Sequence, residues 1–247
     1  MLPEINIAPK YLVTDSGASD GTQVKYFYKN KWYKIDRYGG EGECEELASS
    51  VLDLCGYAQG NYVVYNQVII NGERGCVSDN FLQDNEVFQS IYRLHYNVMG
   101  RDPAAVTSKM DYDDAIEYII EFVKKYTEVD ITTYLADTFI LDALILNEDR
   151  HFNNLGLIYD GDRYKAAPIF DNGKSLFVGN SKYRASNSPA QNRRIAYAKA
   201  FSGSFELNMK YLEKYSTLKL DPDRIRQYLK SYPLNEDNAY SRLYELI

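Results

Sequence analysis

The stretch Asn147–Gly173, NEDRHFNNLGLIYDGDRYKAAPIFDNG, decides how the rest of the chain is read. It follows an apolar segment, Ile131–Leu146, that predicts a long helix with Asp130 at its start, where a short side-chain acceptor caps free N–H groups. Acidic and amide side chains then crowd one polar loop, with Asp149 and Asn154 five positions apart. An apolar strand is expected at Leu155–Tyr159, a turn at Asp160-Gly161, and a second strand at Tyr164–Phe170 that runs into Asp171-Asn172-Gly173. Asp171 thus follows a strand that reads as buried, where a carboxylate without a partner is costly.

Upstream, the texture is β-rich. Lys10–Val13 predicts a strand, and Thr14–Thr22 (TDSGASDGT) predicts a small-residue loop. Val24–Tyr28 and Lys31–Asp36 predict a hairpin turning at Lys29-Asn30. Side chains alternate along a strand, so Lys34 lies on the face opposite Ile35. Glu43–Cys55 predicts a helix stopped by Gly56, with Glu45 on the same inward side as Ala48 and Leu52. Tyr62–Ile70 predicts a further strand. Helices are expected at Asn85–Met99 and Asp113–Tyr126, then near Phe205–Tyr215, Asp223–Leu229 and Glu236–Leu246. The sum is an α+β chain of two lobes, a β-rich N-lobe over residues 1–82 and a mainly helical C-lobe over 83–247.

Composition narrows the function classes. The 247 residues are 45% hydrophobic and 14% aromatic, enough for a core, so global disorder is excluded. Three cysteines, Cys44, Cys55 and Cys76, are too few and too scattered for a disulfide framework or a zinc site, and are expected to be reduced thiols. No apolar run approaches the ~20 residues of a membrane helix, and MLPEINIAPK lacks a signal-peptide pattern. A cytoplasmic protein without membrane contact is expected, and export as an effector stays open. The net charge of −7 argues against duplex-DNA binding. Within this acidic chain, Lys174–Gly203 carries Lys174, Lys182, Arg184, Arg193, Arg194 and Lys199 with no Asp or Glu. It reads as a solvated loop or as a docking surface for an acidic partner.

Four elements recur in a fixed order: a small-residue loop between strands, a strand Lys with a Glu on the next helix, an Asp–Asn loop, and an Asp-x-Gly after a hairpin. This is the part list of phosphoryl transfer on a protein-kinase-like scaffold, a reaction that needs positioning and charge neutralisation more than covalent help. Loop N–H groups approach phosphates, with Gly17, Ser19, Gly21 and Thr22 as the nucleotide-contacting residues of Thr14–Thr22. Lys34 contacts phosphate oxygens and a Glu of the next helix holds it, Glu45 with Glu43 and Glu46 competing for that role. Asn154 and Asp171 are hard oxygen ligands for Mg2+. Asp149 takes or orients the proton of the attacking hydroxyl. The adenine hinge is placed at Gly75–Phe81 (GCVSDNF), with Val77 as its nucleotide contact. His151 is expected to pack and hydrogen-bond within its loop, and His95, the other histidine, leaves no metal pair. No Ser/His/Asp or Cys/His arrangement stands in a recognisable context.

In DRHFNN with the following LGLI, in APIFDNG, and in YKID with the downstream EGECEELASS, the chain resembles the HipA-like kinases, a bacterial Ser/Thr kinase family that includes toxins of toxin–antitoxin pairs. Their catalytic loop, D-x-H-x-x-N, falls on Asp149, His151 and Asn154; their metal-binding Asp falls on Asp171, their nucleotide-binding Lys on Lys34 and its helix partner on Glu45. The resemblance implies ATP- and Mg2+-dependent phosphorylation of a protein Ser or Thr, with Ser16, Ser19 and Thr22 as sites of self-phosphorylation. It also implies a protein substrate and an antitoxin-like regulator. The chain matches the shorter, kinase-core-only members, without the extra N-terminal subdomain of full-length toxins. Two alternatives stand beside this reading: a small-molecule or lipid kinase on the same scaffold, and a nucleotide-binding regulatory pseudokinase.

Overall fold

Two turns of two residues each shape the N-terminal sheet of the computed structural model, which describes residues 1–14 and 23–247. After a short strand β1 (Glu4–Ile5), strands β2 (Lys25–Tyr28) and β3 (Lys31–Ile35) are joined by Lys29 and Asn30, at φ 50° and 58°. Paired positive φ values give a turn whose twist matches that of the strands. Helix α1 (Glu41–Leu54) follows, then β4 (Tyr65–Ile70) and β5 (Glu73–Asp79), closed by Asn71-Gly72 at φ 51° and 87°. The sheet order is β1-β4-β5-β3-β2, with β1 parallel to β4 and the other pairs antiparallel. Ile7, Tyr33, Ile35, Val68 and Ile70 form an apolar cluster on one face, while α1 packs on β4 and β5.

Two glycines set how closely these elements approach. A Cβ on Gly42 in α1 would stand 2.7 Å from the Gly75 carbonyl oxygen, and one on Gly75 would stand 2.1 Å from that of Lys34. Both obstacles are backbone, so neither can swing aside. The close approach sets the first turns of α1 against β5 and brings Glu45 over Lys34. Gly75→Ala should therefore cost at least about 2–3 kcal/mol of stability, measured by urea denaturation, through forced overpacking. Stability within 0.5 kcal/mol of the unaltered chain, roughly the scatter of a neutral surface change, would show that the sheet can part there.

The C-terminal part is mainly helical. Strand β6 (Val87–Ser90) leads into α2 (Ile91–Met99), α3 (Pro103–Thr107), α4 (Tyr112–Thr127) and α5 (Thr132–Ile145). Strands β7 (Gly156–Tyr159) and β8 (Tyr164–Ala166) complete an antiparallel sheet, β6-β7-β8. Helices α6 (Pro189–Arg193), α7 (Phe205–Lys210), α8 (Pro222–Leu229) and α9 (Ala239–Leu246) follow. The main core joins Leu47, Val51 and Leu52 of α1 to Ile116 and Ile119 of α4 and Leu135 and Phe139 of α5. Helix α5 is buried almost all round, and its two acids are paired as burial demands. Asp137 accepts from Tyr57 Oη, Ser216 Oγ, Thr217 N and Oγ1, and Leu218 N, which pins segment 216–218 to the helix.

The fold is the expected α+β arrangement, a five-stranded N-terminal sheet followed by a helical remainder. Several local expectations are corrected. Lys10–Val13 is not a strand: Pro9 opens a 3-10 turn at Pro9–Tyr11, and only Leu12 bridges to Tyr26. The predicted helix Asn85–Met99 is strand β6 followed by α2, because Ser90 breaks it: its Oγ accepts from the Arg93 N–H at 3.1 Å and starts the helix there. Tyr62 lies outside β4 and bridges Ile169, and the strand expected to reach Phe170 ends at Ala166, two residues before Pro168. Phe205–Tyr215 divides into α7 and a 3-10 turn at Glu213–Tyr215. Helix α5 begins at Thr132, whose N–H donates to Asp130 Oδ1 at 3.0 Å. Cys44, Cys55 and Cys76 are free thiols, and among the described residues no helix is long and apolar enough to cross a membrane.

Candidate active site

Lys34 is the centre of an ion triad with buried Glu45 and half-buried Asp171. Its Nζ lies 2.8 Å from Glu45 Oε1, 2.8 Å from Asp171 Oδ1 and 3.4 Å from Tyr65 Oη. Glu45 reaches further, its Oε2 accepting the Asn172 N–H at 2.8 Å, so one carboxylate ties the β3 lysine to the loop after β8. Burial pushes the Lys34 ammonium down, but Asp171 and Glu45 outweigh it and hold the group well above its usual value. Burial likewise pushes Asp171 up, and Lys34, with help from Lys25 and Arg150, holds its carboxyl well below the usual range. Glu45 stays raised by burial, which Lys34 only partly offsets. The Asp171 contribution to stability is present above its unfolded value and lost as pH falls through the depressed one. The Lys34 contribution is present below its unfolded value and lost as pH rises through the raised one, so the pair holds across the neutral range.

The loop after α5 is braced from inside. Arg150 is 1% exposed, and its Nε and Nη2 reach both oxygens of buried Asp142 at 3.0 and 3.1 Å. It also donates to Asn172 Oδ1 and to the Phe170 and Asn154 carbonyls, joining α5, the Asp149 loop and the Asp171 loop. Asn147 Nδ2 donates to Asp142 Oδ1 at 3.0 Å, and the Asp149 N–H donates to Asn147 Oδ1 at 3.1 Å. Asn154 donates its N–H to the His151 carbonyl at 2.8 Å and its Nδ2 to the Asp149 carbonyl at 3.0 Å. Among the described residues its buried Oδ1 has no partner. His151 departs from expectation: its backbone shapes the loop, but the residue lines the cleft, and among the described residues its buried Nδ1 has no partner. His95 is structural, bonded to the Arg101 carbonyl and Tyr118 Oη at 2.8 Å each.

These elements enclose two adjoining spaces. A polar cleft of about 340 Å³ is lined by Asp149, His151, Asn154, Asp171, Lys25 and Lys199, with Arg37, Tyr38 and Lys174 beside them. An apolar recess of about 150 Å³ is lined by Trp32, Val63, Tyr65, Phe81, Phe88 and Phe170. Lys25 and Asp171 belong to both. Three phenylalanines pack together under the recess, with Phe170 at 5.6 Å from Phe81 and 5.2 Å from Phe88 between ring centroids.

The residues fit a divalent cation. Among the described residues no three His, Cys, Asp or Glu side chains group as a self-sufficient cage. Asn154 Oδ1, a buried acceptor without a partner among the described residues, and the Asp171 carboxylate provide two hard oxygens, the share Mg2+ takes from protein when phosphates and water complete its shell. The recess is walled mainly by apolar and aromatic side chains, and the segment expected as the hinge takes a different form. Most of Gly75–Phe81 is strand β5; the chain leaves the sheet at Asn80–Leu82, and those residues line the recess. Val77 is not brought to the site: it packs with Tyr33 and Val68 on the far face of the sheet. Gly17, Ser19, Gly21 and Thr22, with Ser16, lie outside the described residues.

Sequence reasoning missed Lys25, Lys199 and the aromatic recess as parts of the site. Lys25 carried a legible signal, because the two-residue turn at Lys29-Asn30 sets it directly across from Lys34. Lys199 stood out only as one charge in the basic segment, and nothing local links it to Asp149.

No family model matches the sequence, and no curated protein matches it. Solved structures do share its shape. The crystal structure of the Helicobacter pylori proinflammatory kinase CtkA superposes with a TM-score of 0.66 at 16% identity, over 99% of this chain and 92% of that one. The HipA chain of a Shewanella oneidensis MR-1 toxin–antitoxin complex with HipB and operator DNA matches with a TM-score of 0.45 at 12% identity, over 96% of this chain and 65% of that one. The chain has the fold of the kinase CtkA along its whole length, which is the two-lobed kinase-like architecture expected from its motifs.

Proposed function

We propose that the chain is an ATP- and Mg2+-dependent kinase that phosphorylates serine or threonine of a protein. One juxtaposition supports this most: the Lys34–Glu45–Asp171 triad meets Asp149 and Asn154 at one polar cleft, which opens onto an apolar recess. Lys34, steadied by Glu45, offers its ammonium to phosphate oxygens. Asp149 accepts the proton of the attacking hydroxyl. Asn154 and Asp171 hold Mg2+, which when bound neutralises charge on the phosphates. The aromatic recess takes the base by apolar contact and stacking.

At the mouth, Arg37 and Lys174 both lie over the Tyr38 ring, 5.0 and 5.4 Å from its centroid, a cationic rim suited to an acidic polypeptide. The Ser/Thr acceptor, an antitoxin-like protein regulator, a cytoplasmic location and self-phosphorylation at Ser16, Ser19 or Thr22 belong to this reading through the HipA-like motifs.

The test is intact-mass analysis before and after Mg·ATP, with EDTA as control, alongside calorimetric titration of Mg·ATP. Added phosphoryl groups dependent on Mg2+ support the reading; absence of both phosphate gain and Mg·ATP binding sinks it. Asp171→Ala should weaken Mg·ATP binding about tenfold or more, the loss of one charged metal ligand. Unchanged affinity would remove Asp171 from the metal site.

A further inference from the structure

Lys199 stands 50 residues beyond Asp149 in sequence, yet its ammonium is ion-paired with the Asp149 carboxylate in the cleft. The backbone that presents it is restrained from several sides. The Tyr197 N–H donates to Glu148, the neighbour of Asp149, at 3.1 Å. The Ala198 N–H donates to the Gly203 carbonyl at 2.9 Å and closes a turn around Lys199. Buried Asn208 donates through Nδ2 to the Lys199 carbonyl at 2.8 Å and to the Ser202 carbonyl at 3.3 Å. Ala200 sits at φ 72°, which a residue with a Cβ adopts only when its surroundings impose it. Phe201 then wedges edge-on against Phe139 and Phe152, with centroids 5.8 and 5.3 Å away. A surface ion pair contributes about 0–1 kcal/mol and calls for no such scaffold.

The charges around it define a task. Lys34 is committed to Glu45 and Asp171, so it does not serve Asp149. A phosphoryl group passing between Asp171 and Asp149 brings further negative charge up to those two carboxylates. Resting on the kinase reading above, we propose that Lys199 is a catalytic residue: its ammonium bridges the Asp149 carboxylate and the anionic γ-phosphoryl group in transit. The acceptor hydroxyl oxygen forms its bond to phosphorus as the bond from phosphorus to the bridging oxygen of the nucleoside diphosphate breaks, that electron pair leaving on the diphosphate. The hydroxyl proton goes to Asp149, and Lys199 keeps its own protons throughout.

Lys199→Met and Lys199→Arg in the full chain test this, read by calorimetric affinity for Mg·ATP and for Mg·ADP and by the rate of ADP formation. Lys199→Met should lower turnover about 100-fold, the loss of one preorganised charge at the reacting group. It should weaken Mg·ATP about tenfold, one charged contact, and leave Mg·ADP affinity unchanged. Lys199→Arg should restore most of both. Lys199→Gln gives the same comparison should the Met variant fail to fold. Equal affinity losses for the two nucleotides, unaltered turnover, or no recovery with Arg would reduce Lys199 to a structural ion pair. An unaltered chain that neither binds nor turns over Mg·ATP overturns the kinase reading itself, and this assignment with it.

Discussion

Asp149→Asn should lower phosphoryl transfer by about 10²–10⁴-fold, the usual contribution of a positioned general base, while Mg·ATP affinity changes little. The substitution keeps the side-chain shape and removes only its basicity and charge. The orientation of Asn154 survives because the Asp149 main-chain carbonyl, not its carboxylate, holds Asn154 Nδ2. The loop also survives, since Arg150 braces it through Asp142 and the Phe170 carbonyl. The triad at Lys34 does not involve Asp149 at all. Initial rates of ADP formation beside calorimetric titration separate the two effects. Transfer near the unaltered rate would remove Asp149 as the base; a matching collapse of Mg·ATP affinity would mean that it holds the nucleotide instead.

Arg150→Met should cost about 3–5 kcal/mol of stability, because it leaves a buried carboxylate uncompensated. Asp142 is 2% exposed and its partners among the described residues are Arg150 and Asn147. Burial already pushes the Asp142 carboxyl up, and the Arg150 charge is what pulls it back. The same change strips donors from Asn172 Oδ1 and the Phe170 carbonyl, at the root of the Asp171 loop. Urea denaturation reads the loss. Adding Asp142→Leu should recover a substantial part of it, since two matched apolar side chains replace a buried pair well. Activity should stay low in that double variant, because the Asp171 loop remains without its brace. A single variant within 1 kcal/mol of the unaltered chain would show that water or a rearranged side chain satisfies Asp142, a loss far below that of a broken buried pair.

The β2–β3 hairpin and the apolar run of β7 were legible because their signals are local: a turn dipeptide, strand alternation, and apolar stretches bounded by polar ones. Asn71-Gly72 carried the same kind of signal for the β4–β5 hairpin, and reading it would have placed β5 where a hinge was expected. Helix Asn85–Met99 misled because Val87–Ser90 suits strand or helix, and pairing with β7 settles which forms.

Within the site, Asp149, Asn154 and Asp171 are polar groups at loop positions that sequence alone marks as unusual, whereas Lys34 and Glu45 gain meaning only from their order in the chain. Their convergence is tertiary, made by the close approach at Gly42 and Gly75 and by Arg150 joining two loops. The aromatic recess left no pattern, since Trp32, Phe81, Phe88 and Phe170 are ordinary apolar residues until the lobes set them side by side. What the sequence determined by itself was the order of elements and the chemistry carried on each, because periodicity and turn residues act over a few neighbours. What the tertiary structure alone decided was which charges meet, Lys199 with Asp149 above all, because an ion pair across 50 residues depends on the path of the chain between them and leaves no local trace.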